Sequence, residues 1–202
     1  MSGQGAIAVL GFRPHTYWTA VVALAGAPDD PRVIERRRIE FATGLERFVF
    51  HQAADVDPAE ARAMIARVRQ STQANAARHI GALVADLKRA GVAVRLAVTA
   101  AATARLPDRI EEILKSHARM HAAEGDFYRD VVASACAAVG LEVRRVIERD
   151  LPVLAGALSP GHEPSPEARL KAMGAVLGPP WSEDYRLATL AAWLHLDGAS
   201  LT

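Results

Sequence analysis

The 202-residue chain has one cysteine, Cys136, and no aspartate or glutamate before Asp29. A lone thiol closes no internal disulfide, so the fold must rest on its core, and a reducing compartment is implied. The first 28 residues offer no carboxylate to a metal. Long apolar runs are also missing: Ala20 to Ala27 is broken by Gly26 and falls far short of the roughly 20 residues that span a bilayer. The opening Met-Ser-Gly-Gln-Gly has no charged region ahead of an apolar stretch, so the expected location is the cytoplasm, without a membrane partner. Phosphate-cradling glycine loops and a Gly-x-Ser-x-Gly elbow are absent as well. With 24 Lys+Arg against 23 Asp+Glu, the net charge is too balanced for a generic polyanion binder, a local patch aside.

What is present reads as one domain over residues 1–202, long enough to bury roughly 70% of its unfolded surface. Ala6 to Leu24 is rich in strand-forming residues and is interrupted by Gly11-Phe-Arg-Pro14. It predicts two short strands around a turn, or one bent strand. Arg32 to Phe41 follows the Pro28-Asp-Asp-Pro31 turn as an edge strand whose charges face water. From Asp57-Pro58 the period becomes helical, with Met64, Ile65, Val68, Ile80, Leu83, Val84 and Leu87 on one face and Gly91 as the stop. That predicts a helix over roughly 58–90, capped by Asp57. Val92 to Val98 reads as a central strand covered on both faces. A helical stretch begins at Pro107-Asp108, a helix runs through Phe127 and Cys136 to Gly140, and Leu141 to Ile147 is another strand. Residues 152–166, with four prolines, predict an irregular connection, and helices over about 167–177 and 182–196 close the chain. The class is α/β with a mixed sheet.

Three stretches carry a family resemblance. Val9-Leu-Gly-Phe-Arg-Pro-His-Thr-Tyr-Trp-Thr-Ala-Val-Val22 resembles the opening of RuvC-type Holliday-junction nucleases, where a hydrophobic strand ends in Leu-Gly-Ile-Asp-Pro-Gly. His121-Ala-Ala-Glu-Gly125, an apolar helix and Val139-Gly-Leu-Glu-Val143 are similar to the family's Ala-Arg-Gly helix start leading into Gly-Leu-x-Val. Asp184-Tyr-Arg-Leu-Ala-Thr-Leu-Ala-Ala-Trp-Leu-His195 is similar to the family's final helix. The resemblance implies a ribonuclease H-like mixed sheet: an N-terminal β-hairpin or meander, then α-β-α-β-α, with helices on both faces. It also implies acidic side chains holding two divalent cations. Here those positions carry Arg13, Thr99 and Leu187, and only Asp184 of the set remains acidic. The expectation is a catalytically silent relative that needs no cofactor and binds structured nucleic acid or a protein partner. Arg13 at the strand end either holds an anion or pairs with Asp184 or Glu183.

Other groupings compete with that reading. An enzyme of another class would use a rewired site around Arg13, His15 and Asp184, or a metal on His117, His121 and Glu124. Those three recur at i, i+4 and i+7 and would share one helical face; the alternative is a solvated face or an acidic helix start. Arg36, Arg37 and Arg38, with Arg144 and Arg145, are candidate phosphate contacts. Alternation splits the triple, however, and Glu35, Glu40 and Glu142 dilute it, as on a solvated strand edge. Cys136 sits in an apolar helix with no basic neighbour, as a small hydrophobe would. Trp181, Tyr185, Trp193 and Leu194 either pack the last helix or leave an exposed remainder for a homodimer or partner.

Overall fold

β1 (Ala6–His15) and β2 (Trp18–Ala27) form an antiparallel hairpin. In the computed structural model the described residues are 6–42, 47–101, 103–157 and 164–196. The hairpin turns at Thr16-Tyr17, with Tyr17 at φ +64°, and not at Gly11 to Pro14 as the sequence suggests. Arg13 and Pro14 stay within β1, opposite Ala20 and Thr19. Pro14 is tolerated because the ladder on the other side of β1 ends at Phe12–Thr99, so its missing N–H costs no bond there. β3 (Asp30–Glu40) pairs antiparallel with β2 and is a sheet edge, as expected.

Past the short α1 (Val49–Ala53), which the sequence did not announce, α2 (Pro58–Arg89) is the long helix that periodicity predicts. The Asp57 carboxylate accepts from the Ala59 and Glu60 amides, Pro58 fills the first position, and Gly91 follows at φ +77°. β4 (Val92–Ala100) comes next. The helical stretch beyond it is two helices, α3 (Ile110–Leu114) and α4 (His117–Ala138), divided where Ser116 caps α4 through the Arg119 amide. β5 (Glu142–Val146) leads through a 3₁₀ turn, Glu148–Asp150, into α5 (Leu151–Ala157). This helix occupies ground expected to be irregular, because Pro152 falls in its first turn, where no amide is required. The rest of that connection, 158–163, lies outside the described residues. α6 (Pro166–Leu177) and α7 (Glu183–Trp193) follow.

The sheet order is β3-β2-β1-β4-β5, with β1, β4 and β5 mutually parallel. Along β1, Ala8, Leu10 and Phe12 enter a core with α1 to α4, while Val9 faces a second core built by α5 to α7. The expected helices on both faces are therefore present, and β4, with Leu96 and Val98 in one core and Ala97 in the other, is covered on both. Among the described residues, no helix is long and apolar enough to cross a membrane.

Candidate functional site

Because β1, β4 and β5 run parallel, their C-terminal ends share one edge of the molecule, the position at which open α/β sheets usually hold ligands. Gly11 brings α7 onto this edge: a Cβ there would lie 1.8 Å from the Ala188 carbonyl oxygen. By strand alternation Arg13 and His15 face α7 with Gly11. Two residues along β1 is about 6.8 Å, and one helical turn back from Ala188 to Asp184 is about 6 Å, so Arg13 meets Asp184.

The contact is a network. Arg13 Nη1 donates to Asp184 Oδ1 at 2.5 Å, and Nε and Nη2 donate to Glu148 Oε2 and Oε1 at 3.1 and 3.0 Å, a bidentate fork. Glu183 lies farther away, at 3.9 Å. His15 Nε2 is 2.7 Å from Asp184 Oδ1, and the Ser182 hydroxyl donates to Oδ2 at 3.1 Å. The His15 ring stacks on Trp18 at 4.3 Å, and the Arg38 guanidinium covers Trp18 at 3.7 Å. Burial works against the Arg13 charge, but Glu148 and Asp184 outweigh it and raise its pKa. Burial also disfavours the Asp184 carboxylate, yet the hydrogen bonds from His15, Arg13 and Ser182 hold it below the usual range. Arg13 thus pairs with Asp184, as one sequence reading held, and with Glu148, which that reading missed.

The other positions named with Arg13 do not join it. Thr99 pairs with Phe12, on the α2/α4 face of the sheet, and its hydroxyl is buried with no hydrogen-bond partner. The next residue on Arg13's face is Ala100, so neither register supplies an acid. Leu187 packs in the α5–α7 core. A cleft of about 660 Å³ between α5, α6 and α7 touches Glu183 and Leu187 but not Arg13, His15 or Asp184.

Each arginine considered for phosphate contact already has a partner. Arg36 donates to the carbonyls of Leu177, Gly178 and Pro179 and covers Trp181 and Tyr185. Arg37 reaches Asp86 at 2.7 Å, Arg38 reaches Glu40, Arg144 reaches Glu142 and Arg145 reaches Asp130. The C-terminal aromatics pack instead of forming an exposed patch. Trp193 is fully buried with Nε1 on the Pro28 carbonyl, and Trp181 donates to the Leu170 carbonyl. Cys136 is buried, which pushes its thiol up to about 12.

His117 and His121 sit one turn apart on α4 with ring centroids 4.4 Å apart, and His51 of α1 joins them at 5.1 and 4.7 Å. One ligand atom from each lies within 4.8 Å of the other two. Glu124, expected on this face as a ligand, is buried behind it: Oε1 accepts from the Phe50 amide at 3.2 Å and lies 3.1 Å from His51 Nδ1. The third member of the cluster is therefore His51, which no spacing in the sequence links to His117 and His121.

The fold is similar to that of T. thermophilus RuvC in complex with Holliday junction substrate, at TM-score 0.52 and 9% identity over 94% of this chain and 92% of that one. A second Thermus thermophilus RuvC structure matches at TM-score 0.47 and 11% identity, over 93% of this chain and 92% of that one. No family model and no curated protein sequence matches. The chain has the RuvC-like, ribonuclease H-like fold that its motifs imply.

Proposed function

We propose that this is a RuvC-fold protein in which a fixed cation replaces the acidic metal centre, and that it acts by binding structured nucleic acid without cutting it. The observation that carries this reading is the Arg13 fork. Two-metal hydrolysis needs several carboxylate oxygens free for hard cations. Here Glu148 and Asp184 both accept from one guanidinium. A divalent ion would have to displace Arg13 and then coexist with its charge.

Nucleic acid is the favoured partner because the RuvC of similar fold is seen with a Holliday junction. The basic side chains differ in how readily they could turn to phosphate. Arg38, Arg144 and Arg145 are tied to carboxylates on the surface, and such pairs contribute only about 0–1 kcal/mol. They can exchange a carboxylate for a phosphate. Arg36, fixed by three carbonyls, is a structural clamp on the end of α6.

The test is binding of the full chain to a four-way junction, a matched duplex and a single strand, at two salt concentrations with EDTA present, beside a cleavage assay in Mg²⁺ and Mn²⁺. Junction-preferring binding that weakens with salt, without cleavage, is expected. Cleavage that disappears in Asp184→Asn overturns the silent-centre reading. Absence of binding to all three overturns the nucleic-acid reading in favour of a protein partner.

A further inference from the structure

We infer that His51, His117 and His121 form a site for a borderline divalent cation, Zn²⁺ in the first instance, with Glu124 as the carboxylate that orients His51. Three of the chain's seven histidines meet here from two separate helices. Imidazole nitrogen suits Zn²⁺ and its neighbours in the transition series and is a poor ligand for Mg²⁺ or Ca²⁺. The site is therefore chemically unrelated to the strand-end cluster, and its test is independent of the nucleic-acid reading.

Two observations separate this cluster from three solvated histidines. Among the described residues the buried Nε2 of His51 has no hydrogen-bond partner, and its buried Nδ1 has only the Glu124 carboxylate nearby, out of line for a hydrogen bond; native interiors avoid a buried nitrogen of this kind unless something else satisfies it. The side chain behind His51 is a buried carboxylate whose other partner among the described residues is the Phe50 amide. A carboxylate set behind a ligand imidazole is the usual outer support of a histidine metal site, since it fixes the tautomer and makes the far nitrogen more basic. With Nδ1 turned toward Glu124 at 3.1 Å, His51 presents Nε2 to the cluster.

The geometry needs only small movement. Tetrahedral ligation at about 2.0–2.1 Å places nitrogens about 3.3 Å apart. The nitrogens already lie within 4.8 Å of one another, so ring rotation with slight helix adjustment closes the site. Three protein ligands leave a fourth position, and because His117 and His121 are exposed that position is open to water. This is the pattern of sites that bind an exchangeable ligand, as opposed to closed four-residue structural sites.

The experiment is titration of the chelator-stripped full-length protein with Zn²⁺, and with Co²⁺ as a spectroscopic probe. One ion per chain and the intense visible absorption of tetrahedral Co²⁺ are expected. His117→Ala and His121→Ala, both on the surface, abolish the Co²⁺ spectrum while leaving the fold intact by circular dichroism. Glu124→Gln weakens affinity by about 10–100-fold with stoichiometry retained, and His79→Ala, away on α2, changes nothing. Absence of stoichiometric binding, or equal binding by the His117→Ala/His121→Ala double variant, overturns the proposal.

Discussion

Replacing Arg13 by methionine keeps much of its packing volume and removes its charge, leaving Glu148, Glu183 and Asp184 facing one another at the strand ends. The cost follows from burial. Fully exposed pairs contribute about 0–1 kcal/mol, whereas removing one partner of a fully buried pair costs about 3–5 kcal/mol. The Arg13 and Asp184 side chains are 18% and 21% exposed and Glu148 is 38% exposed, which places the loss between these limits, at about 2 kcal/mol. For a chain of this length each kcal/mol shifts the melting temperature by about 2–4 °C, so Arg13→Met should melt about 4–8 °C lower at neutral pH. The pH dependence has a definite sign. The Asp184 carboxyl is held below its ordinary 3.8, so its contribution is complete above that value and is lost as pH falls through the lowered one. In Arg13→Met the carboxylates lack their counter-ion, and protonation relieves their repulsion. The deficit relative to wild type therefore shrinks in acid. Thermal melts at about pH 7 and about pH 2.5, well below the ordinary carboxyl value, decide it. Equal stability at neutral pH, or a deficit that widens in acid, would refute the view that the cluster is held together by this cation.

Gly11→Ala forces a Cβ to within 1.8 Å of the Ala188 carbonyl oxygen and should cost about 3 kcal/mol, read as a shifted urea midpoint; a loss below about 0.5 kcal/mol would mean that α7 does not rest on β1 as described. Cys136, with its thiol pushed up to about 12 by burial, should resist thiol reagents at neutral pH until the protein unfolds, and rapid labelling of the native chain would contradict its burial. Arg13→Asp alone should not create Mg²⁺-dependent junction cleavage, because β4 presents only Ala100 on this face, Thr99 faces the other core, and Leu187 of α7 carries no carboxylate; cleavage by that variant would show the account of the strand ends to be wrong.

The parts of the fold that were legible are those in which many residues repeat one signal. The 32 residues of α2 carry helical periodicity, an aspartate cap and a terminal glycine together, so its bounds are readable to within a residue. The five residues of α1 complete barely one turn, too few for a period to appear. His51 is hidden with it, although His117 and His121 were visible from their spacing alone. Glu148 was hidden for another reason. It lies in a 3₁₀ turn, 135 residues from Arg13, and only the parallel order of β1, β4 and β5 brings it there. Local patterning carries no trace of such a pair. Thr99 illustrates the period of two: the sequence aligns it with the strand-end site, but its neighbour Ala100 is on Arg13's face, and a one-residue difference in a strand is a change of face.

Gly11 connects fold and site most directly. Followed shortly by Pro14, it reads as a turn residue, yet it lies within β1, and its missing side chain is what α7 needs to descend onto the sheet. Ala188 and Ala192 make that approach from the helix side, and Asp184 is on the same stripe one turn earlier. Once the Gly11–Ala188 contact is fixed, the rotation of α7 is fixed with it, and Asp184 has to arrive over the residue two places beyond Gly11. The geometry that brings a carboxylate of α7 over the end of β1 is therefore set by the fold itself. With arginine at that place, the same geometry delivers the carboxylate to a guanidinium. The guanidinium is held from both sides, because Glu148 from the third parallel strand end closes the other side of the fork. An acid at position 13 would thus meet Asp184 and Glu148, with Glu183 nearby, at a site where β4 contributes only Ala100, because Thr99 faces the other core.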